Sequence, residues 1–127
     1  EQMTYHQHVD FRPEFVPTEE MEFYFWASDA IALPYRQIDL SAVLQVAFTY
    51  RRAVLVTDVG DFSTFIENGK NGYIAEEQTP ESFARIIECA FEDLQHLSQM
   101  GVMAYEMDRT YPDWKQIGEL TAEVYRS

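Results

Sequence analysis

The stretch from Ala30 to Ile74, AIALPYRQIDLSAVLQVAFTYRRAVLVTDVGDFSTFIENGKNGYI, decides the fold of this chain. Continuous apolar runs at Ala30–Leu33 and Ala53–Val56 predict strands that are covered on both faces. The apolar spacing over Ser41–Tyr50 predicts a helix between them, and Tyr73–Ala75 is expected to form a third, short strand. Strands that alternate with helices predict an α/β fold, a Rossmann-like parallel sheet with right-handed crossovers.

The same stretch indicates where a ligand would bind. In open α/β sheets, ligands bind at the carboxyl ends of the parallel strands, where helix N-termini offer free backbone N–H groups to anions. The predicted helix follows the first strand, with Asp39 or Ser41 as its cap. We therefore expect an anionic ligand at this edge of the sheet.

The residues before this stretch predict one short strand and one helix. His8–Phe11 fits a strand, and Thr18 is a suitable N-cap for a helix that contains the apolar residues of Met21–Trp26. Two glutamates follow the cap directly, where the helix dipole favours anions.

The residues after it predict C-terminal helices over about residues 80–126. Thr79-Pro80-Glu81 is a strong helix start, because a capping threonine precedes a proline at the first helical position. Apolar residues continue at helical spacing over Phe83–Leu97, and Gly101 is expected to interrupt this helix. Pro112-Asp113-Trp114 is expected to open the last helix.

Length and charge restrict the class of protein. The 127 residues suit one domain with one core, and 46% of them are apolar. The net charge of -13 argues against nucleic acid as a partner and against docking on an anionic membrane surface. No apolar run approaches the roughly 20 residues that span a bilayer. The opening Glu-Gln before a methionine suggests a piece of a larger protein.

Cysteine and histidine usage predicts neither a disulfide nor a metal site. The single cysteine, Cys89, fits a reducing compartment and lies in the apolar stretch Phe83–Phe91, so a buried, inert thiol is expected. His6 and His8 lie together near the N-terminus and His96 is remote in sequence, a pattern that does not favour zinc.

Several strings along the chain occur in an order that is typical of one protein family. They are Val16–Met21, Ala27–Ala30, Leu33–Arg36, Ser41–Ala47, Ala53–Gly60, Glu67–Ile74 and Trp114–Tyr125. This ordered set resembles the second, nucleotide-sugar-binding domain of retaining GT-B glycosyltransferases of the "glycosyl transferases group 1" type. The resemblance runs from about Val9 to Arg126.

The resemblance implies that residues 1–127 form a single, partial donor-binding domain of a GT-B fold. The family's first two strand–helix units and its acceptor domain have no counterpart in this sequence. In the doubly wound strand order, the absent strands would lie beside the strand that begins at Ala30. We therefore expect Val9–Phe11 to have no strand neighbour within the chain, and the exposed sheet edge to favour self-association.

The resemblance also implies a reaction. A sugar would pass from a nucleotide-diphosphate donor to a glycan or lipid-linked saccharide, with retention of configuration, without a cofactor and without a metal. The acceptor would bind on the separate domain. Catalysis would consist largely of stabilising the departing diphosphate, and no residue of this chain is assigned as catalytic.

The family's donor contacts map onto two sets of residues. Ser41, Ala42 and Val43 head the helix that would cradle the distal phosphate, and Arg36 is a basic residue near the same turn. A family pair of glutamates, which contacts the donor sugar and ribose, corresponds to Gln37 and Gln45. A glutamine can still bond a ribose hydroxyl, but without charge assistance.

Three functions are compatible with these residues. The first is a fragment of a glycosyltransferase, inactive alone, of bacterial polysaccharide or lipid-linked saccharide assembly; it would be cytoplasmic and peripheral to the inner membrane through the acceptor domain. The second is a non-catalytic binding or scaffold module, favoured by Gln37, Gln45 and by Asp61, which follows Gly60 where the family has a second glycine. The third is a phosphoreceiver with Asp58 as acceptor.

Overall fold

The structure is a computed structural model. It describes residues 8–38, 42–112 and 114–126, apart from the side chain of Trp114. The described elements, in chain order, are α1 (Thr18–Ala27), β1 (Ala30–Leu33), α2 (Ala42–Thr49), β2 (Ala53–Thr57), α3 (Phe62–Phe65), β3 (Gly72–Ala75), α4 (Pro80–Phe91), α5 (Leu94–Asp108) and α6 (Trp114–Arg126). The alternation of strands and helices over Ala30–Ile74 is confirmed.

The described strands form one parallel sheet in the order β1-β2-β3. Ala30 of β1 lies opposite Ala53 of β2, and Val54 of β2 lies opposite Gly72 of β3. Every residue of β2 is buried, as its continuous apolar run predicts. Because α2 connects β1 to the parallel strand β2, it begins at the carboxyl edge of the sheet. The predicted Rossmann-like α/β class is confirmed.

Two apolar cores cover the two faces of the sheet. Side chains alternate along β2, so Val54 and Val56 join one core while Ala53 and Leu55 join the other. The first core contains Phe48 of α2 and other residues from α1 to α3. The second is closed by residues of α4 and α5. The sheet is therefore a middle layer, and its carboxyl edge is the place where loops from both layers meet.

Arg52 joins α1 to the rest of this domain. Its Nε donates to the carbonyl oxygen of Phe25 at 2.8 Å and its Nη2 to that of Trp26 at 3.2 Å. The guanidinium also lies over the Trp26 ring, 5.4 Å from the centroid. A cation bonded to the last carbonyls of a helix stabilises that end, because it complements the helix dipole.

Two N-terminal predictions are wrong. His8–Phe11 is not a strand: Phe11 is 76% exposed and the segment has no place in the described sheet, as the family's strand order implies. Thr18 is not the cap of α1 but its first residue, because Pro17 occupies the capping position with extended dihedral angles. The Pro17 carbonyl accepts from the backbone N–H of Glu20 at 2.9 Å, which starts the helix one residue early.

The predicted position of the break among the C-terminal helices is also wrong. The break between α4 and α5 lies directly before Asp93. The carboxylate of Asp93 accepts hydrogen bonds from the backbone N–H groups of Gln95 and His96 at 3.0 and 3.1 Å and so caps α5. Gly101 lies inside α5 without interrupting it. A Cβ there would be 2.1 Å from the carbonyl oxygen of Arg51, so the glycine permits close packing of α5 on the turn before β2.

The two glycines of the C-terminal helices yield a matched stability test. We expect Gly101→Ala to lower the free energy of unfolding by about 2 to 3 kcal/mol, because its methyl group would collide with backbone. Gly118→Ala should raise it by about 0.5 to 1 kcal/mol, since a Cβ at Gly118 meets no atom within 4 Å and alanine is the better helix former. Urea unfolding followed by circular dichroism measures both, and equal effects would contradict the close-packing argument.

The prediction of a buried Cys89 is wrong as well. Cys89 is exposed, whereas its neighbour Ala90 is buried against the sheet. Successive residues of a helix point about 100° apart, so the apolar stretch contains both inward and outward positions.

Candidate functional site

The carboxyl edge of the sheet carries an open cleft of about 780 Å³. Its walls are the loop after β1, which contributes Arg36, Gln37 and Ile38, and the loop after β2, which contributes Asp58, Val59 and Gly60; Gln78 completes it. Both loops follow parallel strands that end side by side. The cleft therefore lies where the strand–helix–strand pattern predicts a ligand.

Close contacts between the two loops shape this cleft. The hydroxyl of Thr57 donates to the carbonyl oxygen of Tyr35, which ties the end of β2 to the end of β1. Gly60 adopts a φ of 56°, and a Cβ at this position would be 2.1 Å from the carbonyl oxygen of Ile38. Both the dihedral angle and the contact require glycine. Asp61, which the resemblance aligns with a second family glycine, is the N-cap of α3 and makes no side-chain cap hydrogen bond.

The charge in the cleft is balanced rather than strongly positive. Arg36 and Asp58 both line it, and both are exposed. Asp61 is half-buried and is not among the residues that line the cleft in the described part of the chain. An anion bound here would therefore depend on backbone N–H groups as well as on Arg36.

A second cavity, of about 390 Å³, adjoins the cleft and shares Arg36 and Gln78 with it. Apolar side chains such as Pro80, Phe83 and Ile87 line most of the remaining wall. Thr79 also lines this cavity and is the N-cap of α4. Its hydroxyl oxygen accepts a hydrogen bond from the backbone N–H of Ser82 at 3.1 Å. The predicted start of this helix is confirmed.

The structure brings together only part of the predicted donor site. Arg36 and Gln37 share the cleft, but Gln45 lines a different cavity, of about 480 Å³, between α2, the end of α5 and the start of α6. Ala42 is the exposed first residue of α2 and Val43 packs against the first core, and neither of them lines the cleft. Ser41 and the alternative cap Asp39 lie outside the described residues.

Sequence reasoning missed Asp108, which shares this third cavity with Gln45. It is the last residue of α5, and burial raises the pKa of its carboxyl group. In the described part of the chain no hydrogen bond or ion pair reaches this carboxylate. The neighbouring Arg109 is directed to Tyr105, with Nη1 3.4 Å from the hydroxyl and the guanidinium 5.5 Å from the ring centroid. The sequence contains one indication of this residue: a negative charge in the last turn of a helix is unfavourable, because it opposes the helix dipole.

We expect Asp108→Asn to raise the free energy of unfolding at pH 7 by about 0.5 kcal/mol, because it removes a negative charge from a helix C-terminus. The folded-state pKa of Asp108 is raised, so the stability linked to this group is fully present below the unfolded pKa and is lost as the pH rises through the folded pKa. The advantage of the variant should therefore vanish at about pH 3.

Urea unfolding at a series of pH values measures this difference. Glu119→Gln, an exposed change of the same charge in the middle of α6, is the control and should leave stability nearly unchanged. A variant less stable than the parent at neutral pH would contradict the argument.

Metal-ligating side chains do not cluster in the part of the chain that the structure describes: no group of three or more His, Cys, Asp or Glu residues there could hold an ion. Of the histidines, His8 and His96 are described and His6 is not. None of the described helices is long and apolar enough to cross a membrane.

With this geometry in place, comparison with known proteins defines the class. Residues 1–93 match the family described as "Glycosyl transferases group 1", and the chain belongs to that family. The fold agrees with that of a solved sucrose-phosphate synthase from Thermosynechococcus elongatus, with a TM-score of 0.77 over 87% of this chain and 28% of that protein, at 18% identity. The architecture is therefore that of part of a GT-B Rossmann-like domain, as the resemblance implies, and the receiver interpretation is excluded.

Two curated relatives that match by sequence share the name of one particular glycosyltransferase. The chain is 26% identical over 118 residues to a D-inositol 3-phosphate glycosyltransferase of Paenarthrobacter aurescens, which covers 93% of the chain and 28% of that protein. It is 24% identical over 111 residues to the enzyme of the same name from Corynebacterium urealyticum, covering 87% and 26% respectively. The chain thus spans about a quarter of the length of the curated relatives that it matches.

Proposed function

We propose that this chain is the donor-binding part of a glycosyltransferase that transfers a sugar from a nucleotide-diphosphate donor to a glycan or lipid-linked acceptor, with retention, and that it is inactive alone. The observation that carries the proposal is the cleft at the carboxyl edge of β1 and β2. Its walls are the loops of two strings that resemble the family, Leu33–Arg36 and Ala53–Gly60. Family membership supports sugar transfer in general.

The chemistry of the cleft suits a diphosphate leaving group. Breaking the bond between sugar and phosphate moves negative charge onto the diphosphate, and fixed donors that meet this charge lower the barrier. Arg36 offers a guanidinium in the cleft. Ala42 and Val43 at the N-terminus of α2 do not line the cleft, and we propose that their backbone N–H groups contact a diphosphate that extends beyond it. Gln37 lies in the same cleft, where its amide would contact the sugar.

The acceptor would bind outside the described residues, on the separate domain that the family provides. We place the reaction in bacterial polysaccharide or lipid-linked saccharide assembly on the cytoplasmic side of the inner membrane. The two relatives are glycosyltransferases of bacteria, which supports only the bacterial part of this placement.

A non-catalytic scaffold is the second candidate, and Asp58 favours it. The carboxylate lines the same cleft as Arg36 and would repel a bound diphosphate. Glutamines replace the family glutamates at Gln37 and Gln45, which removes charge assistance from the donor contacts.

A titration separates the two candidates. We expect the protein, expressed from its complete reading frame, to bind one of UDP, ADP or GDP in isothermal titration calorimetry. Arg36→Ala should weaken that binding roughly tenfold, because it removes a charged hydrogen-bond donor from the cleft. Arg85→Ala, an exposed arginine of α4 outside the cleft, is the control. Absence of binding to all three nucleotides would reject donor binding and favour the scaffold.

We also propose that the free edge of β1 pairs with a second copy of the 127-residue chain. In the described sheet β1 pairs only with β2, and its sequence AIAL contains no charged residue that would discourage edge pairing. Ala32 is exposed on this strand. A twofold axis would then place two β1 strands antiparallel.

Analytical ultracentrifugation of the 127-residue chain tests the pairing. We expect a dimer for the parent sequence and a monomer for Ala32→Lys, because the twofold axis would bring two like charges together at the edge. Ser63→Lys, on the exposed surface of α3, should remain dimeric. A monomeric parent chain, or a dimer that tolerates the lysine at position 32, would overturn the proposal.

A further inference from the structure

Asp108 occupies a position that costs stability. It ends α5, where the partial negative charge of the helix terminus opposes a carboxylate. It is partly buried, and no cation or hydrogen-bond donor of the described residues compensates its charge. Local rules of this kind are often broken at functional sites, so the position is a candidate for a functional role.

The surroundings of this carboxylate form a site. The cavity of about 480 Å³ is in the size range of small-molecule pockets, and three elements contribute polar groups to it. Gln45 comes from α2, Asp108 and Arg109 come from the end of α5, and Gln116 comes from α6. Because Arg109 is directed to Tyr105, the Asp108 carboxylate remains available as an acceptor.

The pairing of a carboxylate with an amide suits a vicinal diol. A hydroxyl group donates to a carboxylate while it accepts from an amide N–H, and the charged acceptor makes the bond about twice as strong as a neutral one. A ribose presents two adjacent hydroxyl groups of this kind.

Gln45 also lies at a suitable distance from the N-terminus of α2, where the proposed function places the diphosphate. Gln45 lies three residues after Ala42, the first residue of α2. At a rise of about 1.5 Å per residue, this places Gln45 roughly 4.5 Å along the helix from its N-terminus. A ribose beside Gln45 would therefore lie next to a diphosphate at that N-terminus.

We propose that Asp108 binds the ribose hydroxyl groups of the nucleotide donor, together with Gln45. Asp108 thereby supplies the carboxylate that position 45 lacks. This inference rests on the proposed donor-binding function and adds to it a specificity-determining residue from the end of α5.

The test compares a nucleoside diphosphate with its 2′,3′-dideoxy counterpart, using the protein expressed from its complete reading frame. The nucleotide is whichever of UDP, ADP or GDP binds the parent most tightly in calorimetry. We expect the parent to prefer the ribonucleotide, and Asp108→Asn to bind it roughly tenfold more weakly because the charged hydrogen bond is lost. Binding of the dideoxynucleotide should be the same for parent and variant.

Controls separate this role from a structural one. Glu106→Gln removes a charge of the same sign from α5 at an exposed position that does not line the cavity, and it should bind like the parent. Asp108→Glu should restore part of the preference for ribose. Thermal unfolding should show that Asp108→Asn is folded.

Two outcomes would overturn the inference. One is an Asp108→Asn variant that keeps the full preference for ribose, and the other is an equal loss of both nucleotides. If the parent protein binds no nucleoside diphosphate, the proposed function itself fails, which is a different result.

Discussion

The parallel pairing of β1 with β2 is the constraint on which the rest of this structure depends. Parallel neighbours require a crossover, and α2 supplies it. The crossover places the start of α2 and the loops after both strands at one edge of the sheet. The complete burial of β2 keeps this pairing in register, because a shift by one residue would exchange the side chains of the two cores.

The edge of the sheet that carries the cleft is shaped by contacts of the backbone. The hydrogen bond from Thr57 to Tyr35 and the approach of Gly60 to Ile38 hold the two loops together. The cleft that they form contains one arginine opposed by one aspartate among the described lining residues. The positive charge of Arg36 is therefore offset within the cleft by Asp58.

Two residues of α5 affect stability in opposite directions. Gly101 allows the helix to pack closely on the turn at Arg51, and this packing leads the helix end toward α2. The helix then ends in Asp108, a carboxylate at an unfavourable terminus in the cavity that Gln45 also lines. A helix that stabilises the domain through most of its length thus ends in a group that disfavours the folded state at neutral pH.

The sequence by itself determined the strands at Ala30 and Ala53, the α/β class and the cap of α4 at Thr79, and it predicted the edge of the sheet at which the structure has its open cleft. These features depend on short-range patterns: continuous apolar runs, a capping triplet and the order of elements. Only the tertiary structure decided that Gly101 is a packing site and that Asp108 and Gln45 line one cavity. The physical reason is that each of these depends on a contact between residues far apart in the chain, which local propensity does not encode.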